Sequence, residues 1–149
     1  MPNVIFTDSW DHYATADIPK KYAIGVGSGG IASVGRNGTS GLQLFAANAV
    51  GSITAGISNQ ASVYVDVAFK AAALPGGDQE FVILMDGSST QTDLRLTSTG
   101  DLRVTRNSTS LGVTTGLGIS AGTYYHIGFM TTFHDTAGVY EVRVNGVSK

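Results

Sequence analysis

Cysteine is absent from this 149-residue chain, so it has neither a disulfide framework nor thiolate chemistry. Charge is scarce: 13% of residues are charged and the net charge is -2. A non-specific nucleic-acid binder needs a basic footprint, and this chain lacks one. No apolar run approaches the length of a membrane span, so no membrane partner is expected. The N-terminus has no basic segment followed by an apolar one, so no signal peptide is expected either. Without a secretory signal, Asn37-Gly-Thr and Asn107-Ser-Thr read as ordinary turn residues, not glycosylation acceptors. A sustained 3.6-residue apolar period is missing too, and Pro19 limits Thr15–Tyr22 to about one helical turn. Glutamate occurs only at Glu80 and Glu141.

What remains is glycine, with 20 residues, together with frequent Ser and Thr and many β-branched and aromatic positions. Disordered chains show the reverse balance. Many turns between short strands account for it better. The length fits a single domain over 1–149, able to bury roughly 68–70% of its extended surface.

Strands are expected at Pro2–Thr7, Tyr22–Val26, Ile31–Val34 and from Leu42 onward. Ser62–Ala72 is the clearest early one: Val63, Val65, Val67 and Phe69 alternate with Tyr64, Asp66, Ala68 and Lys70. Phe81-Val-Ile-Leu-Met is a near-continuous apolar run, which suits a strand buried on both faces. Leu94 and Leu96 share one face of Asp93–Ser98, Thr99-Gly-Asp turns the chain, and Leu102, Val104 and Arg106 return. Charges Asp93, Arg95, Asp101, Arg103 and Arg106 are expected on the outside of this hairpin. Ser108–Gly122 reads as a glycine-rich connection. The sum is an all-β, antiparallel two-sheet sandwich. Phe69, Phe81, Ile83, Leu94, Leu96, Ile127 and Phe129 are its expected core.

The chain is organised around Thr123–Gly146. Tyr125, Ile127, Phe129 and Thr131 alternate with His126, Gly128, Met130 and Thr132. Turn formers follow at 134–138, and then a Val139–Val144 strand that ends on Asn145-Gly146. Asn-Gly tolerates positive φ at both positions and favours a type I′ turn. Such a hairpin needs a second sheet to cover its apolar face.

The run from Tyr124-Tyr-His-Ile through Asp135-x-x-Gly to Tyr140-x-Val-x-Val-Asn-Gly resembles the later strands of the concanavalin A-like (laminin G-like) jelly roll. The opening Phe6-Thr-Asp-Ser-Trp-Asp-His-Tyr13 resembles the start of jelly-roll proteins of tailed bacteriophages. The resemblance implies a jelly-roll fold and a place in a virion, assembled in the bacterial host cytoplasm. It also implies capsid or tail proteins as partners. Members of that family usually continue for several strands beyond the Val-x-Val-Asn-Gly turn, whereas this sequence stops at Lys149. The reading is therefore a jelly roll incomplete at its C-terminus, with nothing returning along Tyr140–Val144. An edge of Val139, Tyr140, Val142 and Val144 would then pair with another chain or a further segment and hold copies together as a homo-oligomer.

Two clusters invite a chemical reading. Asp8, Asp11 and His12 beside Trp10 have metal-ligand side chains but no diagnostic spacing, and a capped loop explains them more simply. The concanavalin-like fold includes glucanases, which place Glu and Asp at alternate positions of one strand. Neither Glu80 nor Glu141 has a second acid two residues away, so the two-carboxylate machinery has no visible home and no enzymatic activity is expected. Gly25-Val-Gly-Ser-Gly-Gly lacks the Lys-Ser/Thr ending of a phosphate loop. His126 reads as a satisfied structural histidine.

The expectation is a non-enzymatic virion protein, a capsid decoration or a tail or fibre component, acting through protein–protein contacts and needing no cofactor. The alternative is a carbohydrate-binding module recognising a host surface glycan. That alternative predicts exposed aromatics on one sheet face, with Trp10, Tyr64, Tyr124 and Tyr140 as candidates, or a calcium near the sheet rim.

Overall fold

The architecture is that of a computed structural model, which describes residues 14–24, 29–32, 39, 41–44, 53–57, 59–134 and 136–149. The chain divides into two compact units, Met1–Asn59 and Gln60–Lys149.

In the first unit, a 3-10 turn at Thr15–Asp17 runs into a single helical turn, α1 (Ile18–Lys21). Pro19 lies in its first positions, where a missing N–H breaks no helical bond. Asp17 accepts the Ala14 N–H at 3.0 Å and pairs with Lys20 at 2.6 Å. Ile18 and Tyr22 are buried. Two short antiparallel pairs complete the described part: β1 (Ala23–Ile24) with β4 (Ile53–Thr54), and β2 (Gly29–Ala32) with β3 (Gly41–Leu44). The strand expected at Pro2–Thr7 lies outside the described residues.

The second unit is an antiparallel sandwich of two four-stranded sheets. One sheet has β5 (Ser62–Phe69), β10 (Tyr125–Thr132), β11 (Val139–Val144) and β12 (Val147–Ser148), in the order β12-β11-β10-β5. The other is a meander of β6 (Gln79–Asp86), β7 (Ser89–Leu96), β8 (Leu102–Arg106) and β9 (Thr109–Val113). Alternation builds the core. Ile127 lies between Val67 and Val144, and Phe129 between Val65 and Val142. In the facing sheet Leu94 lies between Val82 and Val104, and Leu96 opposes Leu102. Ile119, from the connection after β9, joins the same cluster. Phe69 and Phe81 stack across the two sheets at 4.6 Å between ring centres. Each fully buried side chain of this size contributes roughly 1.5–3 kcal/mol of burial free energy.

Turn chemistry sets the register. Asn145 and Gly146 have φ of 52° and 81°, and Asn107 and Ser108 have 48° and 65°, so both two-residue hairpins place positive φ at both central positions. Gly100, at φ 80°, packs so closely on the Ile119 carbonyl that a Cβ would collide with it. The Ile119 N–H donates to the Gly100 carbonyl at 3.0 Å, so this glycine ties the β7–β8 turn to the core loop.

Four expectations need correcting. The Phe81–Met85 run is not buried on both faces: Ile83 is 41% exposed and Met85 52%. A bulge between Glu80 and Val82 breaks the alternation, so Phe81 and Val82 both pack on the core. Asp93 points away from the core as expected but is buried there, not solvent-exposed. Ser108–Gly122 is not a connection throughout, since it contains β9. After Asn145-Gly146 the chain does return, as β12, pairing Ser148 with Arg143 and Val147 with Val144. The Lys149 N–H also donates to the Val142 carbonyl at 2.8 Å.

Candidate binding face

Even-numbered residues of β5 and β10 and odd-numbered residues of β11 point away from the core. The register sets Asp66 opposite Gly128 and Gly128 opposite Arg143, forming one rung across three strands. The next rung carries Tyr64, Met130 and Glu141. Tyr64 leans diagonally from its own rung onto Gly128. A Cβ at Gly128 would lie 2.5 Å from the Tyr64 hydroxyl and 3.1 Å from ring carbon Cζ. The missing side chain thus leaves the notch that receives the phenol end, while Tyr64 stays 51% exposed.

Two side-chain pairs flank the ring. On one side His126 Nε2 lies 3.0 Å from Asp66 Oδ1, and the Tyr64 hydroxyl donates weakly to Asp66 Oδ2 at 3.4 Å. On the other side Arg143 Nε donates to Glu141 Oε1 at 2.8 Å, and a second nitrogen reaches Oε2 at 3.3 Å. Arg143, followed by Ser148, holds the Glu141 carboxyl below its ordinary pKa. Partial burial, then the negative charge of Asp66, pushes the Tyr64 phenol up. Asn145 steadies this end of the face: its Oδ1 accepts the His126 N–H at 2.9 Å and its own N–H donates to the His126 carbonyl at 2.7 Å.

The other aromatic candidates are placed differently. Tyr124 is half-buried, with Lys70 Nζ 4.7 Å from its ring centre. Tyr140 crosses the sandwich: its hydroxyl donates to the Leu111 carbonyl at 3.0 Å and fills the space above Gly112. Trp10 and the Asp8, Asp11 and His12 group lie outside the described residues. Among the described residues no three His, Asp or Glu side chains gather as metal ligands. Of the expected edge residues, Val139 and Tyr140 are exposed while Val142 and Val144 are buried in the core. His134 caps its turn, with Nδ1 accepting the N–H groups of Thr136 and Ala137 at 3.1 and 3.0 Å.

Sequence reasoning singled out Tyr64 but not Asp66, Gly128, Glu141 and Arg143 as its neighbours. Strand parity puts each on a face. Only the pairing register brings them together.

A scan against protein-family models and searches of curated proteins and solved structures returned no match to this chain.

Proposed function

We propose that the chain is a non-enzymatic structural protein of a tailed-phage virion, on the capsid surface or in the tail or fibre apparatus, with a concanavalin A-like jelly roll as its fold. It acts by contact with other virion proteins and with copies of itself. The observation that carries this reading is the edge of β11. Among the described residues, β12 covers only Arg143 and Val144, and no strand pairs with the outer side of Val139–Glu141. Val139 and Val147 are both more than half exposed beside it. An apolar strand edge with free N–H and C=O groups is a template for another strand.

The two glutamates support the non-catalytic part. A glycosidase acid needs a raised pKa and a free carboxyl group. Glu80 is paired with Arg95 at 2.7 Å, and Glu141 is clamped by Arg143 and held charged. The resemblance of 6–13 and 124–146 to jelly-roll proteins of tailed phages supplies the setting, and a β-sandwich is the fold class expected of such a protein.

Mass spectrometry and electron microscopy of purified particles test the proposal. The chain should be present at a fixed copy number, with density for its sandwich on the particle. Its absence from purified particles would overturn the virion reading. A Val139→Lys variant that still assembles normally would overturn the edge contact.

A further inference from the structure

We propose that Asn145-Gly146 is a self-modification site: the Gly146 main-chain nitrogen attacks the Asn145 side-chain amide, ammonia leaves, and the rearranged product releases β12 from β11. This inference is independent of where the protein is deployed.

The argument starts from the residue after the asparagine. Glycine has no Cβ to screen its own nitrogen, and nothing lies within 4 Å of where a Cβ on Gly146 would stand. Both residues are exposed, and among the described residues no acceptor takes the Gly146 N–H. Hydroxide and water therefore reach the reacting groups. The closed turn holds Asn145 back. At φ 52° its backbone is left-handed, its Oδ1 accepts the His126 N–H at 2.9 Å, and its own N–H donates to the His126 carbonyl at 2.7 Å. Cyclisation requires Asn145 to leave that conformation, so that Gly146 N swings onto Cγ. Little resists the opening. β12 supplies two residue pairs, Arg143 with Ser148 and Val144 with Val147, and the Lys149 N–H bond to Val142. Val147 is 57% exposed, and an element with so little burial opens locally far more often than the core. Asn107-Ser108 is the internal control. It has the same positive φ at both positions, but Ser108 carries a Cβ beside the nitrogen, and its hairpin joins two five-residue strands.

The chemistry needs only water. The Gly146 N–Cγ bond forms and the Cγ–Nδ2 bond breaks. The proton lost from Gly146 N is balanced by one taken up by the departing nitrogen, which leaves as ammonia. Water then opens the cyclic imide. Cleavage at Cγ gives aspartate, whereas cleavage at the Asn145 main-chain carbonyl gives isoaspartate, whose main chain runs through Cβ and Cγ. That chain is one carbon longer, so the two-residue turn no longer closes in register and the β12 pairs do not re-form. The N–H and C=O groups of Arg143 and Val144 then join the open edge at Val139–Glu141.

The test incubates the full chain in mildly alkaline buffer. Peptide mass spectrometry maps the conversion, an isoaspartyl methyltransferase scores isoaspartate, and amide chemical shifts follow β12. Asn145 should convert ahead of Asn107, at a rate that rises with hydroxide. In the isoaspartyl fraction Val147, Ser148 and Lys149 should lose their strand shifts while Ile127 and Phe129 keep theirs. Lys149→Pro removes the N–H that ties β12 to Val142, so conversion should run about fivefold faster, the factor expected for one hydrogen bond. Val147→Gly, which weakens β12 by strand propensity alone, should also accelerate it. Asn145→Gly keeps the turn and has no amide, so it should give no product at this position and leave β12 paired. Conversion of Asn145 no faster than that of Asn107, isoaspartate with β12 still paired, or a rate indifferent to both Lys149→Pro and Val147→Gly would each overturn the proposal.

Discussion

The two sheets of the Gln60–Lys149 unit carry similar chemistry on their outer faces and use it in opposite ways. On the β6–β9 sheet, Asp93 is 1% exposed although it points away from the shared core. Its oxygens accept from Arg95 Nε and from the Thr105 hydroxyl, both at 2.6 Å, and Arg95 reaches on to Glu80 at 2.7 Å. Asp93 keeps the Arg95 guanidinium firmly charged, chiefly through that hydrogen bond. Arg103, on the same face, pairs with Asp78. On the β5–β10–β11 sheet, Asp66–His126 and Glu141–Arg143 have comparable distances, but their His126 and Arg143 side chains are about half exposed, and no carboxylate there is fully buried. A desolvated pair locks the strands that contribute it, because losing one partner strands a charge. A wet pair adds little to stability and remains free to meet a ligand. Burial, more than residue type, separates a locked charge network from an open one here.

The contrast can be broken in order of expected effect. Phe129→Ala sets the scale, since this fully buried ring is shared by both sheets; about 3–5 kcal/mol should be lost in denaturant melts. Asp93→Ala should cost about 3 kcal/mol by leaving Arg95 without its main partner. A loss too small to resolve would mean that the β6–β9 network is as wet as the opposite face. Thr105→Val keeps the shape and removes one donor to Asp93, so about 1–2 kcal/mol should go in the same assay. Arg143→Ala and His126→Ala should leave the melting temperature essentially unchanged, because both side chains are well exposed. A large drop in either would move the open face into the structural class.

The smallest effect is on pH. Arg143 depresses the folded-state pKa of Glu141, so the pair's contribution is fully present above the ordinary glutamate value. It fades as pH falls through the depressed value, where the folded carboxyl also protonates. A titration of the Glu141 side-chain carbon should therefore show a midpoint below that of an unfolded glutamate, and Arg143→Ala should raise it toward normal. A midpoint indifferent to Arg143 would remove the ion pair from the account.

Sequence alone determined the β character, the strands at 62–69, 79–86, 102–106, 125–132 and 139–144, most of the core and the Asn145-Gly146 turn, but not β9 or β12. These depend on local rules: a period of two, β-branched content, and residues that accept positive φ. It also set Tyr64 on the face opposite Val63, Val65, Val67 and Phe69, by parity within Ser62–Ala72. What it could not contain was how strands meet. The bulge at Phe81 shifted the faces of β6 and left Ile83 outside the core. Asp93 looked like any outward charge until β7 and β8 brought Arg95 and Thr105 to it. Tyr64 found Gly128 only through the pairing of strands some sixty residues apart in the chain. Periodicity is written in neighbouring residues, whereas register and burial arise from pairing between distant ones. For that reason the elements were legible from the chain, and the two contrasting faces were decided only by the tertiary structure.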